Sequence, residues 1–208
     1  MGSTLSAKSL TATATTGKLD AQNAVATITN ATTLTSGTTM NLTSTATDKG
    51  VFASGTLSAT AGTSMDATGA KLTTTGADTT DVAALTLKTT SGDMTLTSAT
   101  VKANNTGTLS MNAGNDLLAG SSTLTGAKLT ATATQNLSAT GATIKSTGTT
   151  LDLSTTNGDV VLTNAAITAH TAGTITGKSD VDVSGSRITA NSLSVEATDA
   201  TLNAQDAV

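Results

Sequence analysis

The lone histidine, His170, is the first residue to weigh for chemistry, because imidazole serves both as a near-neutral base and as a zinc ligand. It stands in Thr168-Ala169-His170-Thr171, and with no second histidine and no cysteine in the chain a zinc site lacks partners. A solvent-facing corner is the plainer reading. Asp180 and Asp182 lie two apart, and Asp159 precedes Val160 one repeat earlier, so these carboxylates could stack into an acidic ladder. A glycosidase or lyase built on them would also need aromatic rings for sugar stacking and basic residues nearby. Phe52 is the only aromatic residue, and no basic cluster accompanies the carboxylates. Asp93, Asp116, Asp159 and Asp180 each precede an aliphatic residue after a turn-forming stretch, and read as turn residues. The Gly-Gly-x-Gly-x-Asp string of calcium-binding nonapeptide repeats does not occur. No catalytic, cofactor-binding or metal-ligating residue emerges, and the chain is expected not to be an enzyme.

Two further patterns are weaker than they look. Glycosylation sequons occur at Asn30, Asn41, Asn104 and Asn136, but 52 Thr and 21 Ser among 208 residues produce about that number by chance from twelve Asn. Thr-x-Thr strings on a flat sheet face order water and bind ice; Thr11-Ala12-Thr13 and Thr130-Ala131-Thr132 follow corresponding leucines. The equivalent sites elsewhere read Ser58-Ala59-Thr60, Ser110-Met111-Asn112, Asp152-Leu153-Ser154 and Ser194-Val195-Glu196, so the array is irregular.

The elements that must carry these residues follow from the repetition. One aliphatic series runs Leu19, Met65, Met94, Leu117, Leu137, Val160, Val181, and a second runs Val25, Leu72, Val101, Leu124, Ile144, Ile167, Ile188. The offset between them is 6 once and 7 six times. A third series lies eight or nine residues before the first: Leu10, Leu57, Leu85, Leu109, Leu129, Leu151, with Ile175 only six before Val181 and Leu193 nine before Leu202. From Leu72 onward the second series is spaced by 29, 23, 20, 23 and 21 residues. Around each anchor the apolar residues alternate with polar ones, which is the period of a strand, and no window carries a helical stripe. Ser91-Gly92-Asp93, Gly114-Asn115-Asp116 and Asn157-Gly158-Asp159 separate the strands; they are turn formers with access to positive φ and are expected at the corners.

Three short strands repeated every 20 to 23 residues predict an all-β parallel β-helix of about nine coils. At a strand spacing of ~4.8 Å such a rod is ~43 Å long. Ala70, Ala99, Ser122, Ala142, Ala165 and Ser186 stand two before the second-series anchors, where a sharp bend admits only a small side chain. The period breaks near residues 44–50 and 73–84, which predicts two loops off the rod. The second is the expected place for a partner contact, with Gly76, Asp78 and Asp81 as its candidate residues. Lys71, Lys102, Lys128, Lys145 and Arg187 are scattered, and a net charge of −4 argues against a nucleic-acid partner. No apolar run is long enough for a membrane helix or a signal peptide core. Met1-Gly2-Ser3 reads as an expression scar, residues 4–208 as one repeat array, and the whole as a piece of a longer protein. The Leu10 and Leu202 ends resemble interior repeats without polar caps, so the ends are expected to self-associate or fray.

The tracts SGDMTLTSATVKANN from Ser91, GAKLTATATQNLSATGATIKSTGTTLDLSTTNGDVVLTNAAITA from Gly126 and GKSDVDVSGSRITANSLSVEA from Gly177 resemble filamentous haemagglutinin repeats. Such repeats build very large bacterial exoproteins exported by two-partner secretion, among them adhesins and contact-dependent growth inhibition toxins. The resemblance implies a right-handed winding and a secreted or outer-cell-surface location. It also implies an outer-membrane transporter as partner, acting through regions outside this chain, and a receptor or glycan on a host or neighbouring cell. With no proline, the chain has none of the Asn-Pro-Asn motifs of the family's secretion domain, which places it in the shaft.

Overall fold

A computed structural model describes residues 3–46, 48–76 and 84–208. The chain winds as a parallel β-solenoid of nine coils, each adding one strand to three nine-stranded sheets. Sheet A runs from Thr4–Ala7 to Arg187–Thr189, sheet B from Leu10–Ala14 to Ser192–Ala197, and sheet C from Leu19–Asp20 to Leu202–Asn203. Every strand pairs in parallel with its equivalent one coil away, so equal positions stack: Leu85, Leu109, Leu129 and Leu151 form one column, and Met94, Leu117, Leu137 and Val160 another. These columns fill the interior, where the leucines and methionines of the middle coils are almost wholly buried. Threonine supplies the outward positions because its β-branch favours an extended backbone while its hydroxyl meets water.

Stacking corrects two anchors and adds a coil. Val25 is not the partner of Leu72; Ala26 stacks beneath Val51, and Val51 beneath Leu72. Ala26 restores the offset of seven from Leu19. Ile175 does not continue the leucine column of sheet B either. Gly173 occupies that place between Leu151 and Leu193, while Ile175 lies between Leu153 and Val195. A whole coil passes through Thr32, Met40 and Val51 and stands in none of the three series; its sheet B anchor is a threonine.

The corners divide by physical requirement. Between sheets C and A the chain makes a type II turn, in which Ala24, Ala70, Ala99, Ser122, Ala142, Ala165 and Ser186 each donate an N–H to the carbonyl three residues earlier. The preceding residue takes the left-handed conformation: Asn23 (φ 54°), Gly69 (68°), Ser98 (56°), Ser121 (55°), Gly141 (67°), Asn164 (55°) and Gly185 (64°). The small residues from Ala70 to Ser186 are buried inside this bend as expected. Positive φ, however, is not used at Gly92, Gly114 or Gly158. Those glycines answer a different need at the corner from sheet B to C, where backbones of successive coils nearly touch. A Cβ on Gly158 would stand 2.6 Å from the Gln135 carbonyl oxygen, and one on Gly62 would collide with the Gly37 carbonyl.

Buried hydroxyls close the same corner. Thr89 and Thr155 donate to the Gly92 and Gly158 carbonyls (2.6 Å each), and their oxygens accept from Gly114 and Lys178 N–H one coil on (3.0 and 3.2 Å). Thr32 is the exception. Its side chain is fully buried in the leucine column, and its Oγ1 has no hydrogen-bond partner.

Two outcomes test this packing. Replacing Ile144, 1 % exposed, by Asp should cost several kcal/mol, whereas Asp at the adjacent exposed Thr143 should change stability by under about 1 kcal/mol; denaturant titration of both variants checks the register. Thr32→Val keeps the shape and removes an unsatisfied buried hydroxyl, and should raise stability by about 1–2 kcal/mol.

Candidate functional site

The carboxylates singled out from the sequence converge on backbone, not on a cavity. Asp93 Oδ1 accepts from Asn115 Nδ2 (2.6 Å) and from the Asp116 N–H (3.2 Å). Asp116 Oδ1 accepts from the Asn136 N–H (2.9 Å) and Nδ2 (3.1 Å), and Asn136 Oδ1 accepts from the Asp159 N–H (3.0 Å). The line continues through Asp159 to the Asp180 N–H (3.0 Å) and through Asp180 to the Thr201 N–H (2.8 Å). Each side chain thus caps the amide entering the next coil. The amide of Asn136 divides the row so that no more than two carboxylates follow one another. Asp182 is engaged separately, accepting from the Ser184 N–H (2.9 Å) and Asn203 Nδ2 (3.2 Å). The parallel pair Asp20 and Asn41 is built alike (3.2 Å), and the Gln22 N–H with the Lys18 ammonium holds the Asp20 carboxyl below its ordinary range. Among the described residues no three His, Asp or Glu side chains are grouped to hold a metal ion.

The remaining candidates separate. His170 is exposed, and its backbone N–H rests on Ser146 Oγ at 3.1 Å. Two sequon asparagines are committed to ladders: Asn136 at both ends of its amide, and Asn41, whose Nδ2 reaches Asp20 while its Oδ1 accepts from the Thr43 N–H (3.1 Å). On the outer face of sheet B, register adds Thr33-x-Thr35 and Thr174-x-Thr176 to the Thr-x-Thr ranks. Lys88, Asn112 and Glu196 stand in the same column as Thr13, Thr35 and Thr132, and Asp152 interrupts the neighbouring one.

A concave feature lies on the outer face of sheet A. Phe52, Thr73 and Lys102 occupy successive strands at one register, and Lys71 sits over the Phe52 ring with its ammonium 5.6 Å from the centroid. With Thr74, Thr75, Asn104 and Asn105 they line a groove of about 360 Å³. Along the chain, residues 44–49 lead into the strand Gly50–Ala53, and the second period break follows the strand Lys71–Thr74. Thr73 and Thr74 therefore belong to the sheet, and Thr75 and Gly76 still bond to the coil below through the Ala53 and Ser54 carbonyls (2.9 and 2.8 Å). Gly76 takes φ 63° beside Asn104, at the rim of the groove. Asp78 and Asp81 lie outside the described residues. The sequence signal for the groove was the one aromatic residue standing between the two breaks. Lys71 and Lys102 looked scattered because they are 31 residues apart along the chain, yet their strands are neighbours.

No family model, curated protein or solved structure matches the chain.

If the aspartate ladder is structural, Asp159→Ala should cost about 1 kcal/mol through the lost acceptor for the Asp180 N–H, while Asp159→Asn, which keeps a carbonyl oxygen there as Asn136 does, should be nearly neutral in thermal melts.

Proposed function

We propose that this chain is a stretch of rigid shaft from a secreted, surface-displayed bacterial filament of the filamentous haemagglutinin kind, with the sheet A groove as its place of lateral contact. The observation that carries the reading is the continuity of three parallel sheets through all nine coils. Each coil bonds only to its neighbours, so length is gained by adding coils, which is what a spacer between cell and target requires. The quoted repeat tracts add the family resemblance. Right-handed winding belongs to the same reading, since parallel crossovers are right-handed in the great majority of cases. So does export through an outer-membrane transporter that recognises a region outside this chain. Asp93, Asp116, Asp159, Asp180 and Asp182 accept from backbone amides, which supports a scaffold role for them and not a catalytic one.

The groove suits a polar, anionic surface such as an acidic glycan of a host or neighbouring cell: two ammonium groups, two amides and one ring face share one floor. An ice-binding role for the threonine face of sheet B is disfavoured by the charges at Lys88, Asp152 and Glu196.

Joined to a two-partner secretion domain and co-expressed with its transporter, the chain should appear outside the cell and be removed by added protease. Retention inside the cell would count against the reading. Beads coated with the protein should adhere to target cells, and Phe52→Ala/Lys71→Ala/Lys102→Ala should reduce adhesion several-fold with little change in melting. Unchanged adhesion would leave the shaft role and remove the groove from it.

A further inference from the structure

We propose that the C-terminal end of the solenoid docks the N-terminal end of a second copy of this chain, so that copies join head to tail with all three sheets continuous. Both ends leave apolar side chains uncovered. Leu5 is 42 % exposed, Leu193 47 %, Leu202 46 % and Val208 82 %, against near-complete burial of the equivalent leucines in the middle coils. The last coil opens as a pocket of about 220 Å³ lined by Val183, Ile188, Leu193, Val195, Leu202 and Val208.

Congruence between the end coils singles out a second copy as the occupant. The inward anchors of the first coil, Leu5, Leu10 and Leu19, are separated by 5 and 9 residues; those of the last, Ile188, Leu193 and Leu202, are separated by 5 and 9 as well. None of the seven coils between them has that pair of spacings. Aligned without a gap, residues 4–25 and 187–208 carry the same residue at ten of 22 positions, and both place a left-handed residue, Asn23 or Asp206, at the final corner. Stacked in this register, Leu5 covers Ile188, Leu10 covers Leu193 and Leu19 covers Leu202.

Backbone and charge agree with the same register. In sheet C the Val181, Val183 and Gly185 N–H groups donate to the Thr201, Asn203 and Gln205 carbonyls of the next coil, each at 2.9 Å. One coil further, the donors are Leu202, Ala204 and Asp206, and the carbonyls at matching places in the first coil are those of Lys18, Asp20 and Gln22. The side-chain ladder continues as Asp182, Asn203, Asp20, Asn41, so carboxylate and amide alternate across the junction. Residues 4–25 carry Lys8, Lys18 and Asp20 for a net charge of +1, and residues 187–208 carry Arg187, Glu196, Asp199 and Asp206 for −2. The one conflict is local. The Val208 N–H donates to the Ser186 carbonyl as the Val25 N–H does to Ser3, so Val208 already holds the first place of a tenth strand in sheet A. The incoming Thr4 must yield it, and Leu5 then follows Val208 directly.

This inference concerns the chain with both end coils free, not a stretch continued by further coils of the same polypeptide as in the shaft reading, and it is tested on the 208-residue chain itself. Thr11 and Ser194 are equivalent outward positions of the two end coils, and the chain has no cysteine of its own. Under mild oxidation the Thr11→Cys/Ser194→Cys variant should give a ladder of dimers, trimers and longer species, while each single variant stays monomeric. In sedimentation velocity, Leu193→Glu and Leu10→Glu should each prevent chains; mixed together, they should form dimers and nothing longer, because each keeps one competent end. Deleting residues 1–4 should lower the concentration at which chains appear. A double-cysteine variant that remains monomeric, or dimers from Ser194→Cys alone, would overturn the proposal, the latter by showing tail-to-tail contact. So would a mixture of the two glutamate variants that stays monomeric.

Discussion

Parallel backbone pairing at one strand spacing per coil is the constraint from which the rest of this molecule follows. A hydrogen-bonded strand every ~4.8 Å leaves each side chain with an equivalent neighbour directly above and below. Inward positions therefore become columns that must be filled by similar volumes, and leucine, methionine, valine and alanine do so. Outward positions become rows in which like charges would repel at short range. Threonine dominates them because it is uncharged and extended by preference.

The same spacing decides the corners. A turn that changes direction within three residues leaves no room for a side chain inside it, which is why alanine or serine precedes every strand of sheet A except Gly50–Ala53, which Lys49 precedes. At the corner into sheet C it is the distance between coils that is limiting, and glycine appears there for lack of a Cβ. Aspartate and asparagine resolve the polar remainder: their oxygens accept the amide of the next coil, and interleaved amides keep the carboxylates from forming an unbroken row. The acidic line is thus a part of the scaffold.

A scaffold of this kind tolerates departures only where the chain leaves the stack. The period breaks twice along the sequence, before the strand Gly50–Ala53 and after the strand Lys71–Thr74, and the one aromatic residue, Phe52, stands between the breaks. Elsewhere the outer face of sheet B is mostly threonine and serine, interrupted by Lys88, Asn112, Asp152 and Glu196. Concentration of ring, ammonium and amide groups at the interruption gives the groove a chemistry that the regular coils lack.

The sequence by itself determined the class of fold, an approximate number of coils and the direction of most side chains, because periodic pairing imprints its spacing on the aliphatic residues. Ile144 inward and Thr143 outward were legible from alternation alone, as were the small residues of the bends. The sequence did not disclose the coil through Thr32, the placement of Gly173, or the exchange of Val25 for Ala26. In each case the inward position holds a residue that is not a large aliphatic, and only the hydrogen-bonded partner on the next coil reveals the register. Which glycines serve conformation and which serve close approach was likewise decided by tertiary contact, since both occur in similar turn-like strings. The groove belongs to this second group: Phe52, Lys71 and Lys102 are remote along the chain and meet because successive coils return to the same face.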